Sequence, residues 1–371
     1  MIYRKFGKSG VNVSLLGFGA MRLPTKEING NKIIDEELSI KIIQRSFELG
    51  INYIDTAYGY CDGKSEVIVG KAIKGFRNKV YISTKSPLSH IEKKDDYRKF
   101  LEEQLKKLDT NYIDFYHFHS LNWQNFQEKV LKLNLIQEAI RAKEEGLIKH
   151  ISFSFHDKPE YMIEIVKSCD IFETILCQYN LLDRSNEYAI EYLSKKGIGI
   201  AVMGPVGGGR LSDMPYLINV FKNKYKSCAE IALKFVFLNE YISVALSGMS
   251  SIEMVEENVN IVDSKEFLTK DEIKIIEEIL NQRRNREIPC TNCNYCQPCP
   301  QNIPIPYIFN LFNQYTLIGS QMFKKLYKEI GEGKDERKKP DSCIDCGKCE
   351  ERCPQRIKIR KKFKEIHKIF Y

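Results

Sequence analysis

The chain has 371 residues, of which 43% are hydrophobic and 29% charged, and its formal net charge is 57 − 49 = +8. That length exceeds one ordinary domain and leaves room beyond the ~250 residues of a typical α/β barrel for a second small module. The balance fits a globular enzyme, and the lack of any apolar run near the ~20 residues that span a bilayer argues against a membrane helix.

The amino end, Met1-Ile-Tyr-Arg-Lys5, has no apolar core or small-residue cleavage site, so a cytoplasmic address is expected. Residues 3–13 alternate and turn at Gly7-Lys-Ser-Gly10, which predicts a β-hairpin ahead of the main fold. A first strand follows at 15–19 and a first helix at 35–49, opened by Asp35 and closed by Gly50. The run Asn52-Tyr-Ile-Asp55-Thr-Ala-Tyr-Gly-Tyr60 then ends a strand on a carboxylate, with a phenol five positions on. Three further strands end the same way, at Val80-Tyr-Ile-Ser-Thr-Lys85, Ile113-Asp-Phe-Tyr-His-Phe-His119 and Ile151-Ser-Phe-Ser154. Helices are predicted at 95–108, 135–145, 158–168, 185–196 and 227–238, with strands at 174–178, 199–203 and 243–246 between the later ones. Eight strand-helix units favour an α/β fold, a closed (β/α)8 TIM barrel rather than a doubly wound sheet. In such a barrel the strand ends share one rim, where active sites sit.

After a charged helix at 269–286 the composition changes. The chain has 12 cysteines, and eight fall in two groups, Cys290-Thr-Asn-Cys293-Asn-Tyr-Cys296-Gln-Pro-Cys299-Pro300 and Cys343-Ile-Asp-Cys346-Gly-Lys-Cys349-Glu-Glu-Arg-Cys353-Pro354. The second fits the bacterial ferredoxin run C-x2-C-x2-C-x3-C-P, and the first is one residue short before its last cysteine. Between them, 305–330 is predicted helical and 331–340 a charged linker, a layout that resembles the α-helical ferredoxins. Two [4Fe-4S] clusters with crossed ligation are expected: Cys290, Cys293, Cys296 and Cys353 on one, Cys343, Cys346, Cys349 and Cys299 on the other. Two four-cysteine zinc sites are the alternative, although zinc ribbons favour pairs of C-x2-C without Cys-Pro endings. The expected domains are 1–285, the barrel, and 286–371, a small C-terminal α-helical ferredoxin-like iron-sulfur domain.

Singly, each rim residue has a structural reading: Tyr60 a packed phenol, Lys85 a solvated strand end, His119 a core histidine, Asp55 a turn cap. Together, Asp-Thr-Ala-x-x-Tyr followed by a strand-end Lys and a strand-end His resembles the aldo-keto reductases over about residues 1–285. The resemblance implies a hairpin plugging the barrel bottom and a catalytic tetrad of Asp55, Tyr60, Lys85 and His119. It also implies a nicotinamide cofactor, NADP or NAD, held by Ser154 and Gln178, by Met203 where an aromatic often stacks, and by the loop Gly204, Pro205, Val206, Gly207 and Arg210. Gly248, Ser250, Glu257 and Asn258 complete the implied nucleotide site. Phe155 replaces the Asn that commonly follows Ser154, and Gly248 and Met254 stand where basic residues often grip the adenosine 2′-phosphate.

The expected activity is therefore oxidoreduction between a small carbonyl, aldehyde or ketone, and its alcohol. Coupling to electron transfer through the clusters is expected, with an acidic protein such as a ferredoxin or a flavoprotein as partner. A basic tail, Arg356, Lys358, Arg360, Lys361, Lys362, Lys364 and Lys368 against Glu365, reads first as a solvated helix face and, as the alternative, as the surface that would dock such a partner. No nucleic-acid motif accompanies that charge. The other function class considered is a catalytically weak barrel acting as a redox sensor or scaffold with structural clusters. The loop 121–132 carries no readable specificity code.

Overall fold

The computed structural model describes residues 1–371 apart from 29, 213, 214, 222, 223, 284–286, 319, 320 and 334. Two short strands, β1 (Tyr3–Lys5) and β2 (Asn12–Ser14), pair antiparallel as the predicted hairpin. Eight parallel strands close a barrel: β3 (Leu16–Gly19), β6 (Tyr53–Asp55), β7 (Tyr81–Ser86), β8 (Ile113–Leu121), β9 (Ile148–Phe155), β10 (Thr174–Gln178), β11 (Gly199–Met203) and β12 (Val244–Ser247). Between β3 and β6 lies a second hairpin, β4 (Thr25–Ile28) with β5 (Asn31–Ile34). Its turn carries the sequence Asn-Gly, a strong hairpin signal.

The amphipathic helices form as their periodicity dictates. In Glu36–Glu48, Ser39, Ile42, Ile43, Ser46 and Phe47 are the buried face, and the Asp35 side chain caps the start by accepting from the Leu38 N–H. Inside the barrel, Phe6 and Val13 from the first hairpin join Tyr53, Phe115, Leu176, Ala201, Val244 and Leu246 in one apolar cluster. The hairpin therefore plugs the end of the barrel opposite the strand ends. Gly7, at φ +58°, lies against the Gly199 backbone with no room for a side chain. Helix Ser65–Ala72 meets a backbone too: a Cβ on Gly70 would stand 2.7 Å from the Leu108 carbonyl carbon and oxygen. Backbone cannot move aside as a flexible side chain can, so Gly70→Ala is expected to destabilise the barrel by about 1–3 kcal/mol, measured as a lowered urea midpoint with an unchanged slope.

By contacts the chain divides into two compact units, Met1–Val206 with Ala229–Leu268, and Gly207–Cys228 with Thr269–Tyr371. The domain boundary expected at 285 falls outside the described residues. In the second unit the predicted single helix over 305–330 is two, Ile305–Ile318 and Gln321–Lys328. These pack with Ile359–Phe370 around Ile308, Phe309, Phe312, Tyr327, Phe363 and Phe370. The stretch ahead of Cys290 is fixed by a side chain: the Ile288 N–H donates to Asn313 Oδ1 at 2.8 Å, and Asn313 Nδ2 donates to the Ile288 carbonyl at 2.7 Å. Asn313 is fully buried. Gly208, at φ +71°, lies directly against the Thr291 carbonyl in the same unit. No helix among the described residues is long and apolar enough to cross a membrane.

Candidate functional site

At the carboxyl ends of β6, β7 and β8 the predicted acid, base and imidazole meet. Parallel pairing sets Asp55 opposite Ser83 and Lys85 opposite His117. Lys85 Nζ lies 2.6 Å from Asp55 Oδ1 and donates to the Thr56 carbonyl at 2.6 Å. The pair is 1% and 3% exposed, so the two side chains are fixed against each other away from solvent. Tyr60 reaches over it from the loop after β6, its ring centroid 4.9 Å from Lys85 Nζ. His119 faces the same ring edge-on at 6.2 Å. All four predicted tetrad residues are therefore brought together. Burial, followed by the charge of Lys85, holds the His119 imidazolium far below its ordinary range, so the ring is neutral at neutral pH.

Two neighbours were not predicted. Ser83 Oγ donates to the second carboxylate oxygen, Asp55 Oδ2, at 2.8 Å. Its single proton is then committed, and the 2.9 Å contact with His117 makes the His117 Nε2–H the donor to Ser83 Oγ. Burial and Lys85 push His117 down to about 3, which keeps it a neutral donor in this chain. The signal for both lay in strand alternation: Ser83 and Lys85, like His117 and His119, are two apart and share a face. On the other side of β7, Gln104 donates to the Lys85 carbonyl at 3.1 Å and to the buried Glu66.

The predicted nucleotide residues are less uniformly gathered. Ser154 Oγ accepts from the Ser120 N–H at 2.8 Å. Gln178 stands in register with Met203, and its amide lies against Gly204 at the start of the β11 loop. Its Nε2 is buried without a partner, a donor suited to a carboxamide oxygen such as that of nicotinamide. Met203 is half-buried and offers a thioether face in place of an aromatic ring. Pro205, Val206 and Gly207 continue the turn, whereas the side chain of Arg210 lies outside the described residues. Gly248 is open to solvent beside the Gly19 carbonyl, and Ser250 Oγ contacts Met254 Sδ at 3.5 Å. Asn258 Nδ2 donates to Ser247 Oγ at 3.2 Å, and Glu257 projects into solvent from helix Ile252–Asp263.

In the second unit, Cys296, Cys299, Cys343, Cys346 and Cys349 line one pocket. Burial raises the Cys296 thiol to about 12, and its next influences are Cys290, Cys293 and Cys353. Cys349, raised to about 11 by burial and Glu350, feels Cys343 and Cys299. The fourth cysteine of each run thus neighbours the other run. No three His, Cys, Asp or Glu side chains among the described residues converge to hold a single ion.

Comparison with known proteins agrees with this architecture. A family model described as the aldo/keto reductase family matches residues 15–281, and one for a 4Fe-4S dicluster domain matches residues 289–357. An uncharacterized oxidoreductase of Bacillus subtilis, YqkF, is 28% identical over 75% of this chain and 96% of its own. L-Galactose dehydrogenase of Arabidopsis thaliana is 28% identical over 77% of this chain and 96% of its own. Among solved structures, an aldo-keto reductase of Bacillus halodurans superposes with a TM-score of 0.64 at 29% identity, covering 75% of this chain and 96% of that one. With the barrel, the rim and the cysteine-rich tail accounted for together, the chain belongs to the aldo/keto reductase family, as an NAD(P)-dependent oxidoreductase carrying a ferredoxin-type 4Fe-4S domain C-terminal to its barrel.

Proposed function

We propose that the protein interconverts a small aldehyde or ketone with its alcohol at the Asp55, Tyr60, Lys85, His119 rim. The observation that carries this is the buried Lys85–Asp55 pair held beneath the Tyr60 ring. A nicotinamide nucleotide, when bound, supplies or accepts the hydride. The chain supplies the proton. An unperturbed phenol titrates near 10, too high to release a proton readily at neutral pH, and the adjacent ammonium stabilises the phenolate left on Tyr60 Oη. Asp55, tied by Lys85 and Ser83, prevents that ammonium from swinging away. Neutral His119 orients the substrate oxygen by a hydrogen bond. Ser154 and Gln178 are the proposed holders of the nicotinamide amide, with Met203, Gly204, Pro205 and Val206 beside it and the turn at Gly248 to Asn258 on the nucleotide's far end.

The cysteines fit two [4Fe-4S] clusters. Four thiols around a pocket suit a cubane, whereas a zinc site draws its sulfurs in to ~2.3 Å from one point. The clusters would supply one-electron transfer to or from a docked partner, apart from the hydride step at the barrel rim. The docking face is helix Ile359–Phe370, which buries Ile359, Phe363, Ile366 and Phe370 and exposes Lys361, Lys364 and Lys368. An acidic electron-transfer protein of the ferredoxin or flavoprotein class fits that face.

The test is anaerobic titration of purified protein with NADH and NADPH, followed by turnover of an aldehyde panel. Both nucleotides are expected to bind within about tenfold of each other, or ~1.4 kcal/mol, because neither Gly248 nor Met254 offers a cation to a 2′-phosphate. A stronger NADPH preference overturns the cofactor assignment. Failure of both nucleotides to bind overturns the activity.

A further inference from the structure

The surroundings of Cys299, Cys343, Cys346 and Cys349 contain a cation whose placement needs explaining. Arg360 lines their pocket. It is anchored at both ends: its backbone N–H donates to Glu350 Oε1 at 2.9 Å, and its Nη2 donates to Glu350 Oε2 at 3.0 Å. Nη1 donates to the Asp345 carbonyl at 3.2 Å. The guanidinium is thus fixed in one plane. Yet its Nε–H is buried with no acceptor among the described residues. Buried N–H groups are nearly always satisfied, and an orphaned one on a side chain that lines a pocket of thiols and lies near Cys349 indicates an acceptor that arrives with the group those thiols bind. Cys346 is the solvent-exposed member of that ring, with the exposed Ile344 and Lys348 beside it.

Resting on the two-cluster reading above, we infer that Arg360 sets the potential of the solvent-facing cluster. Its Nε–H donates to a sulfur of the cluster on Cys299, Cys343, Cys346 and Cys349, and its charge favours the reduced, more negative state. Hydrogen bonds to sulfur and local charge are the levers by which proteins move such potentials. The step is a one-electron reduction of that cluster, the electron coming from the cluster on Cys290, Cys293, Cys296 and Cys353 or from the docked partner. Arg360 thereby makes the cluster nearest solvent the place where an electron rests before exchange.

An anaerobic potentiometric titration followed by EPR reads this directly. Wild type is expected to show two one-electron waves. In Arg360→Gln one wave falls so that its occupancy at a fixed potential changes at least about tenfold, or 59 mV for one electron, and the other stays. In Arg360→Lys, which keeps the charge and loses the planar donor, the same wave falls by less. Cys346→Ser identifies that wave by abolishing or altering it. Two unmoved waves in Arg360→Gln, or movement of the wave that survives intact in Cys346→Ser, overturn the inference while leaving the clusters in place. Should Arg360→Gln fail to retain iron, Arg360→Lys decides alone by the same criterion. Wild-type protein that carries zinc instead of iron overturns the cluster reading and this inference together, and the metal analysis tells the two failures apart.

Discussion

Tyr60→Phe is expected to lower kcat for carbonyl reduction by about 10²–10⁴, the usual contribution of a positioned general acid, while nicotinamide nucleotide binds as in wild type. The substitution removes one oxygen and leaves the ring that stacks beside Lys85 and His119. Stability should therefore hold. Lys85→Met separates the chemical role from the structural one. It also removes the cation that lowers the cost of a phenolate, and it leaves the Asp55 carboxylate buried beside Ser83 with its main counter-charge gone. Breaking a buried pair in this way costs about 3–5 kcal/mol. Paired measurements of kcat and urea midpoint should show one variant inactive and stable, the other inactive and weakened. Full activity in Tyr60→Phe would remove the phenol from the mechanism.

Cys353→Ser is expected to halve the iron of the purified protein, from about eight to about four per chain, and to remove the same spectroscopic species as Cys290→Ser. Cys299→Ser should instead remove the species lost in Cys349→Ser. The expectation comes from which thiols share surroundings: Cys296 with Cys290, Cys293 and Cys353, and Cys349 with Cys343 and Cys299. Segregated loss, with Cys353→Ser and Cys349→Ser alike, would mean that each run holds its own cluster.

The barrel was legible because its strands are short, apolar and closed by turn residues, and because four of them end on chemically conspicuous side chains. Lys85 and Asp55 were readable as a pair for that reason. Ser83 and His117 were not, since a serine and a histidine inside a strand are ordinary until the register places Ser83 against Asp55 Oδ2 and His117 against Ser83 Oγ. The hairpin Thr25–Ile34 was missed although its Asn-Gly turn was in plain view, because its strands are polar and largely exposed and show little burial pattern. The nucleotide contacts were the hardest to read. Gln178 was named through the resemblance alone, and the structure adds that its amide lies against the turn at Gly204 with its nitrogen lacking a partner among the described residues.

The clasp between Asn313 and the backbone of Ile288 has a consequence for how the protein matures. A carboxamide that both donates to and accepts from one residue imitates a neighbouring strand, so the peptide entering the first cysteine run is shaped by a helix and not by metal. Ordering a residue's backbone costs roughly 1–2 kcal/mol, and here the two Asn313 hydrogen bonds offset part of that cost where the chain enters the first cysteine run. If the proposed clusters are removed, Ile288 should stay held by Asn313, so that added iron and sulfide restore them without this segment having to fold again.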